Sequence, residues 1–268
     1  MSYFRNKIAV ITGAGSGIGR ALAVEMASLG CHLAISDINA SSLAGTVEQL
    51  PNRDNITVHS ASLDTSDREA FAVYAREVVA TFGGVDVLFN NAGVASRNNL
   101  ALLELDYAEY ERVININLWG VIHGTHEFLP HLLARPNSHL VNVSSVFGLV
   151  APPNTGAYCA SKFAVRGYTE TLRSELEGSN VQVSCVHPGV IATNIAVAAD
   201  APADMVQQFA TRGLSPERAA RQILKGVEKG KARVLVTRGA YLLDWLQRLT
   251  PAHYRPLMFK TLGLRPEL

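Results

Sequence analysis

Residues Lys7 to Thr12 carry a short β-branched run, Ile8-Ala-Val-Ile11, that breaks directly into glycines at positions 13, 15, 17 and 19. An apolar helical pattern, Ile18 to Leu29, follows at once. A strand, a Gly-rich turn and a helix in that order restrict the chain to α/β architectures in which helix N-terminal amides can face a phosphate. The spacing fits neither Gly-x-Gly-x-x-Gly nor the Walker pattern, since positions 18 and 20 are Ile and Arg. A plain Gly-rich turn would also explain the loop. Its place at the first βα junction favours a dinucleotide.

A second stretch, Tyr158-Cys-Ala-Ser-Lys162, puts a phenol and an ammonium one helical turn apart on one face. A neighbouring ammonium favours the phenolate, and a tyrosine so tuned can act as acid or base. Lowering its pKa by about three units needs roughly 4 kcal/mol, which requires a second positive charge such as an oxidised nicotinamide. Alone, such a pair is a common surface feature. Here it stands in one order with Thr12 to Gly19, Asn90 to Gly93, Ser144-Ser145 and Pro188-Gly189.

In that order the chain resembles the short-chain dehydrogenase/reductase family, from about residue 5 to about residue 236. The resemblance implies a single-domain Rossmann-like α/β fold, a doubly wound parallel sheet flanked by helices on both faces, over residues 1–240. Residues 241–268 then form a short amphipathic extension of the same domain. Strands are expected at 8–11, 31–36, 56–61, 85–89, 140–144, 181–186 and 232–236.

The resemblance also assigns roles. Thr12, Gly13, Gly17 and Gly19 fit the family's Thr-Gly-x-x-x-Gly-x-Gly, with Ser16 and Ile18 in the same phosphate turn. Asp37 ends the second strand about 20 residues beyond the loop, where a carboxylate can accept from both adenine-ribose hydroxyls and repel a 2′-phosphate. With Ser16 and Ile38 where NADP-preferring relatives often carry a base, this implies NAD over NADP. Asp37 could instead start the loop or cap the next helix. Asp64 matches the family's adenine contact and also reads as a helix cap beside Asp67. Asn90 is the expected main contact to the adenine ribose, with Ala92 beside it, and Gly93 permits close backbone approach.

Asn117 matches the asparagine of a locally opened helix whose carbonyl holds a water near the lysine. Asn115 and a plain buried asparagine are the alternatives. Ser145, thirteen residues before Tyr158, is expected to hold the substrate oxygen, and Ser144 to satisfy backbone groups. Pro188, Gly189, Ile191 and Thr193 are expected beside the nicotinamide, and Lys162 and Tyr158 at its ribose. The run Asn194 to Ala199 is apolar and without charge, so lipophilic alcohols or ketones outrank small anions as substrates. Specificity is expected in the loops 95–103, 147–155 and 195–209.

Composition sets outer bounds. The chain has 268 residues, 48% hydrophobic, enough for one α/β core, and its net charge of +1 gives nucleic acid no purchase. Cys31, Cys159 and Cys185 show no zinc-like spacing and suit a reducing, cytoplasmic setting, as does the absence of an apolar leader after Met1. His123 and His126 lack a convincing third ligand, so no metal is expected. By resemblance the chain is a homodimer or homotetramer. The tail, Tyr241 to Leu249 followed by Pro251 and Pro256-Leu-Met-Phe-Lys260, could pack on the core, cover a greasy substrate or touch a membrane surface weakly. Three rival functions remain open: an NADPH-dependent carbonyl or 3-ketoacyl reductase, a lyase or epimerase that borrows the cofactor, and a non-catalytic scaffold. Asp37 and Ser16 oppose the first, and the full Ser, Tyr and Lys set opposes the others.

Overall fold

The structure, a computed structural model, describes residues 3–51 and 53–262. One sheet of parallel strands runs through it: β1 (Ile8–Thr12), β2 (His32–Asp37), β3 (Val58–Ser62), β4 (Val87–Asn90), β5 (Ser138–Val143), β6 (Val181–Pro188) and β7 (Arg233–Val236). Their spatial order is β3-β2-β1-β4-β5-β6-β7. The connecting helices are α1 (Gly17–Ser28), α2 (Ala40–Glu48), α3 (Arg68–Phe82), α4 (Tyr107–Ile114), α5 (Gly120–Leu133), α6 (Gly156–Glu175), α7 (Ile195–Ala198), α8 (Ala203–Arg212) and α9 (Pro216–Glu228). After β7 the chain adds α10 (Arg238–Leu249) and α11 (Tyr254–Leu262). The strand order reverses between β1 and β4, which leaves a crevice at the carboxyl ends of those strands.

Alternation along the strands splits the core into two layers. Ala9 and Ile11 of β1 pack with Leu22 and Met26 of α1 and Ile223 and Val227 of α9. Val10 faces the other way, onto Phe71 and Val78 of α3 and Phe128 and Leu132 of α5. Both faces are therefore dry, which is why the strands read as continuous apolar runs. Each large side chain so buried contributes about 1.5–3 kcal/mol of transfer free energy.

The expected boundaries shift in places. The third strand begins at Val58 rather than Ile56, and the fourth at Val87 rather than Val85. At the second of these, the buried Asp86 carboxylate accepts the Ile8 amide at 2.9 Å and the Arg135 guanidinium at 3.0 and 3.1 Å. The tail helix starts three residues early, because the Thr237 hydroxyl caps it by accepting from the Ala240 amide. Its inner residues Ala240 and Leu243, with Met258 of α11, pack on Val146 and Val150. Residues 263–268 of the expected extension lie outside the described residues. Among the described residues no helix is long and apolar enough to cross a membrane.

Two fully buried histidines lie in the sheet, His139 on β5 beside the Ser184 hydroxyl at 3.1 Å and His187 on β6. Burial pushes both pKa values from 6.5 down to about 4. The unfolded chain then binds protons that the folded chain refuses as pH falls from 6.5 towards 4, so the stability these neutral rings confer is full above 6.5 and is lost below it. Each costs up to about 1.4 kcal/mol of stability per pH unit across that window. Thermal unfolding followed by circular dichroism should show Tm falling steadily through this range. A flat Tm would contradict it.

Candidate functional site at the β1–β4 crevice

The glycine turn is shaped by backbone that side chains would obstruct. Gly13 and Gly17 have φ of +67° and +53°, in the left-handed region that favours glycine. A Cβ at Gly19 would run into the Gly13 carbonyl oxygen, so α1 can press onto the turn only through glycine. Ser16 stands at the helix N-cap position exposed, with its hydroxyl making no capping bond, and Ile18 is half-buried behind it. The first amides of α1 thus face the crevice, a favourable place for a phosphate.

Asp37 reaches the same turn from the end of β2. One carboxylate oxygen accepts the Gly15 amide at 2.8 Å and the other the Asn39 amide at 2.9 Å. The cap of α2 is Asn39, whose side chain accepts from Ser42, so Asp37 is free of that duty. The nearby Arg20 guanidinium is occupied by Thr46 Oγ1 at 3.0 Å and by the Gly15 and Ser42 carbonyls. Asp64 is exposed and its carboxylate accepts from the Ser66 amide and hydroxyl, while Asp67 caps α3.

Across the crevice the Thr12 hydroxyl accepts the amides of Asn91 and Ala92, both at 3.0 Å, and Asn91 Nδ2 donates to the Thr12 carbonyl at 2.8 Å. The Asn90 side chain turns into the core, with Nδ2 donating to Asn142 Oδ1 at 2.9 Å, so only its main chain lies towards the crevice. Gly93 is exposed, and a Cβ there would sit 3.0 Å from Lys162 Nζ and 3.1 Å from Asn117 Oδ1.

Between α4 and α5 the helix widens to a π-turn over Asn115–Trp119. Asn117 is fully buried inside it and Asn115 is exposed. Asn117 Oδ1 accepts the Val94 amide at 2.8 Å, and its Nδ2 donates to the Val94 carbonyl and to Ser161 Oγ, each at 2.9 Å. The side chain thereby ties the loop after β4 to α6. From α6, Lys162 is buried and donates to the Val143 carbonyl at 3.0 Å, with Nζ 5.7 Å from the Tyr158 ring centroid. Ser144 donates to the Lys162 carbonyl at 2.7 Å. Ser145 follows at the strand end, its hydroxyl accepting the Phe147 amide at 3.1 Å.

Burial dominates the electrostatics here. It pushes Tyr158 up to about 12, with the hydrogen-bonding Ser145 hydroxyl acting the other way. Burial likewise lowers Lys162 to about 8. In the protein alone desolvation penalises the phenolate, in keeping with the expectation that lowering the phenol needs a second positive charge.

The turn after β6 closes the crevice from above α1. The Gly189 amide donates to the Val236 carbonyl at 2.9 Å, Pro188 ends β6, and Ile191 is buried in a bridge to Leu214. A Cβ at Gly17 would sit 3.0 Å from Thr193 Cγ2, so Thr193 overhangs the start of α1. His123 Nδ1 lies 3.1 Å from the Thr65 carbonyl. Among the described residues no group of three His, Cys, Asp or Glu could hold a metal.

Three residues escaped the sequence reading of the crevice: Asn91, the Thr12 hydroxyl as a latch, and His187. His187 Nδ1 lies 2.9 Å from the Ser145 carbonyl, which can only accept, so the ring carries its proton there and steadies the serine's main chain. Strand parity would have revealed the asparagines. Asn90 shares a face with the core residue Leu88, and Asn91 points the other way.

Comparison with known proteins agrees with this geometry. The family model described as short chain dehydrogenase matches residues 7–203. The protein SadH of Mycobacterium tuberculosis is 45% identical over 267 residues, covering 96% of each chain. Among solved structures, a short chain dehydrogenase/reductase from Burkholderia phymatum in complex with NAD superposes with a TM-score of 0.85 at 31% identity, covering 100% of this chain and 99% of that one. An alcohol dehydrogenase from the archaeon Thermococcus sibiricus, complexed with 5-hydroxy-NADP, gives 0.75 at 27% identity, over 87% of this chain and 95% of that one. With its sheet, its crevice and these matches together, the chain belongs to the short-chain dehydrogenase/reductase family of oxidoreductases.

Proposed function

We propose that this protein interconverts a lipophilic secondary alcohol and its ketone, using NAD. The observation that carries the reading is that Lys162 and Asn117 meet beside Gly93, while the Lys162 ammonium lies 5.7 Å from the ring of Tyr158, whose phenol hydrogen-bonds Ser145. The crevice suits a dinucleotide: the glycines let α1 and the turn after β4 close tightly around it, with Gly19 against the Gly13 carbonyl and Gly93 against Lys162, and the amides of α1 stand open at Ser16. Gly13, Ser16, Gly17, Ile18 and Gly19 would hold the pyrophosphate, and Asp37 the adenine ribose. Ala92, Asp64 and the main chain of Asn90 would line the adenosine half. Pro188, Gly189, Ile191 and Thr193 would flank the nicotinamide, and Lys162 its ribose. Bound NAD supplies the hydride acceptor and a positive charge beside the phenol.

In the oxidation direction Ser145 orients the alcohol oxygen and Tyr158 takes its proton. Lys162 sets the charge beside the phenol, and Asn117 holds the opened helix through which that proton can leave. Reduction runs the same transfers backwards. The apolar run from Ile195 to Ala199, with Phe147 edge-on to Tyr158 at 6.2 Å between centroids, supports a greasy substrate. Exposed Trp119 and Leu133 beside and on α5, and Phe163 on α6, support pairing of two copies through those helices. The three buried free thiols suit the reducing cytoplasm.

NADH formation should be measured with NAD and NADP in parallel against secondary alcohols graded from short and polar to long or polycyclic. Turnover should rise with apolar size, and Tyr158→Phe should lower kcat at least about a hundredfold. Full activity in that variant would remove the acid-base assignment, and turnover confined to short hydroxy acids the substrate class. Because the Asp37 carboxylate would repel a 2′-phosphate on a ribose held there, Asp37→Ala should shift preference towards NADP by at least about tenfold. Tighter binding of NADP than of NAD by the wild type, in a titration, would overturn the cofactor reading.

A further inference from the structure

We infer that the outward face of α10 docks on an anionic membrane surface. At 100° per residue, Arg238, Tyr241, Leu242, Trp245, Arg248 and Leu249 fall within a stripe about 120° wide. The apolar members are exposed by 50% at Tyr241, 53% at Leu242, 65% at Trp245 and 68% at Leu249. Ala240 and Leu243, on the opposite side, are already used in packing on Val146 and Val150. The outer face is therefore surplus to the fold. Aromatic rings and leucines bordered by arginines suit the boundary between headgroups and acyl chains.

Charge selects the occupant. From Arg238 to Phe259 the only acidic residue is Asp244, which is buried and held by Arg233 at 2.7 Å and Arg248 at 3.1 Å. Arg238 and Arg255 are exposed, and neither has an ion pair among the described residues. Two copies meeting through this face would set like charges together with no exposed carboxylate from the segment to offset them. A surface of anionic phospholipid satisfies both the apolar stripe and the unpaired Arg238 and Arg255. The docking does not depend on what the crevice turns over.

The full-length protein should co-sediment with phosphatidylcholine vesicles containing phosphatidylglycerol, remain in solution with phosphatidylcholine alone, and be released by salt. Trp245→Glu combined with Leu249→Glu changes only exposed positions, so it should leave Tm unaltered while weakening vesicle binding at least about tenfold. Arg238→Glu with Arg255→Glu should weaken it comparably. Failure to sediment with phosphatidylglycerol vesicles at low salt would overturn the inference, as would equal binding to the neutral vesicles or undiminished binding by the Trp245/Leu249 variant. If that variant instead lowered the mass measured by light scattering and the wild type ignored vesicles, a second copy would be the occupant.

Discussion

One hydroxyl holds the crevice together. Thr12 Oγ1 receives the amides of Asn91 and Ala92 across the gap between β1 and β4, the two strands whose connections leave in opposite directions. Beyond its ends a parallel sheet offers no ladder bonds to join these turns, so side chains must. With the latch in place, Gly13 lies against Ala92, α1 presses on Gly13 and Gly93 comes beside Lys162. Each later contact in the crevice assumes this one.

Burial then sets the chemistry. Lys162, Asn117, Ser145 and His187 are all buried, and each satisfies a main-chain group: Val143, Val94, Phe147 and Ser145 respectively. Such bonds cost little when the partners are already fixed by the sheet and the π-turn, and they hold reactive groups in one rotamer. The same dryness that raises the phenol's pKa makes that group responsive to any positive charge brought beside it.

Much of this was written in the sequence where spacing and backbone geometry coincide. The glycines at 13, 17 and 19 had to be small for reasons a local pattern exposes, and Tyr158 and Lys162 share a helix face by arithmetic. What the sequence hid depended on distant partners. Asn90 looked like a crevice residue because it opens an Asn-Asn-Ala-Gly turn, but its direction is fixed by Asn142 and Thr125, far along the chain. Whether Asp37 capped α2 was open in the sequence, and the structure gives that cap to Asn39 while the Gly15 amide takes the Asp37 carboxylate. The third strand begins late: Ile56, just after the short turn at Arg53–Asn55, packs on the core, and the Thr57 amide is taken by His32 Nδ1. The inner face of α10 could be read as apolar, but not that Val146 and Val150 would receive it.

The strand order also bears on how the chain assembles as it leaves the ribosome. β2 adds to β1 and β3 to β2 while little else has emerged, leaving the second edge of β1 open. That edge is filled only when Leu88 arrives opposite Val10. From there each new strand joins the one just made, β5 on β4, β6 on β5 and β7 on β6. In chain order the sheet thus extends in two bouts, outward on one side of β1 and then on the other. The interval between them is when a bare apolar edge most needs a chaperone.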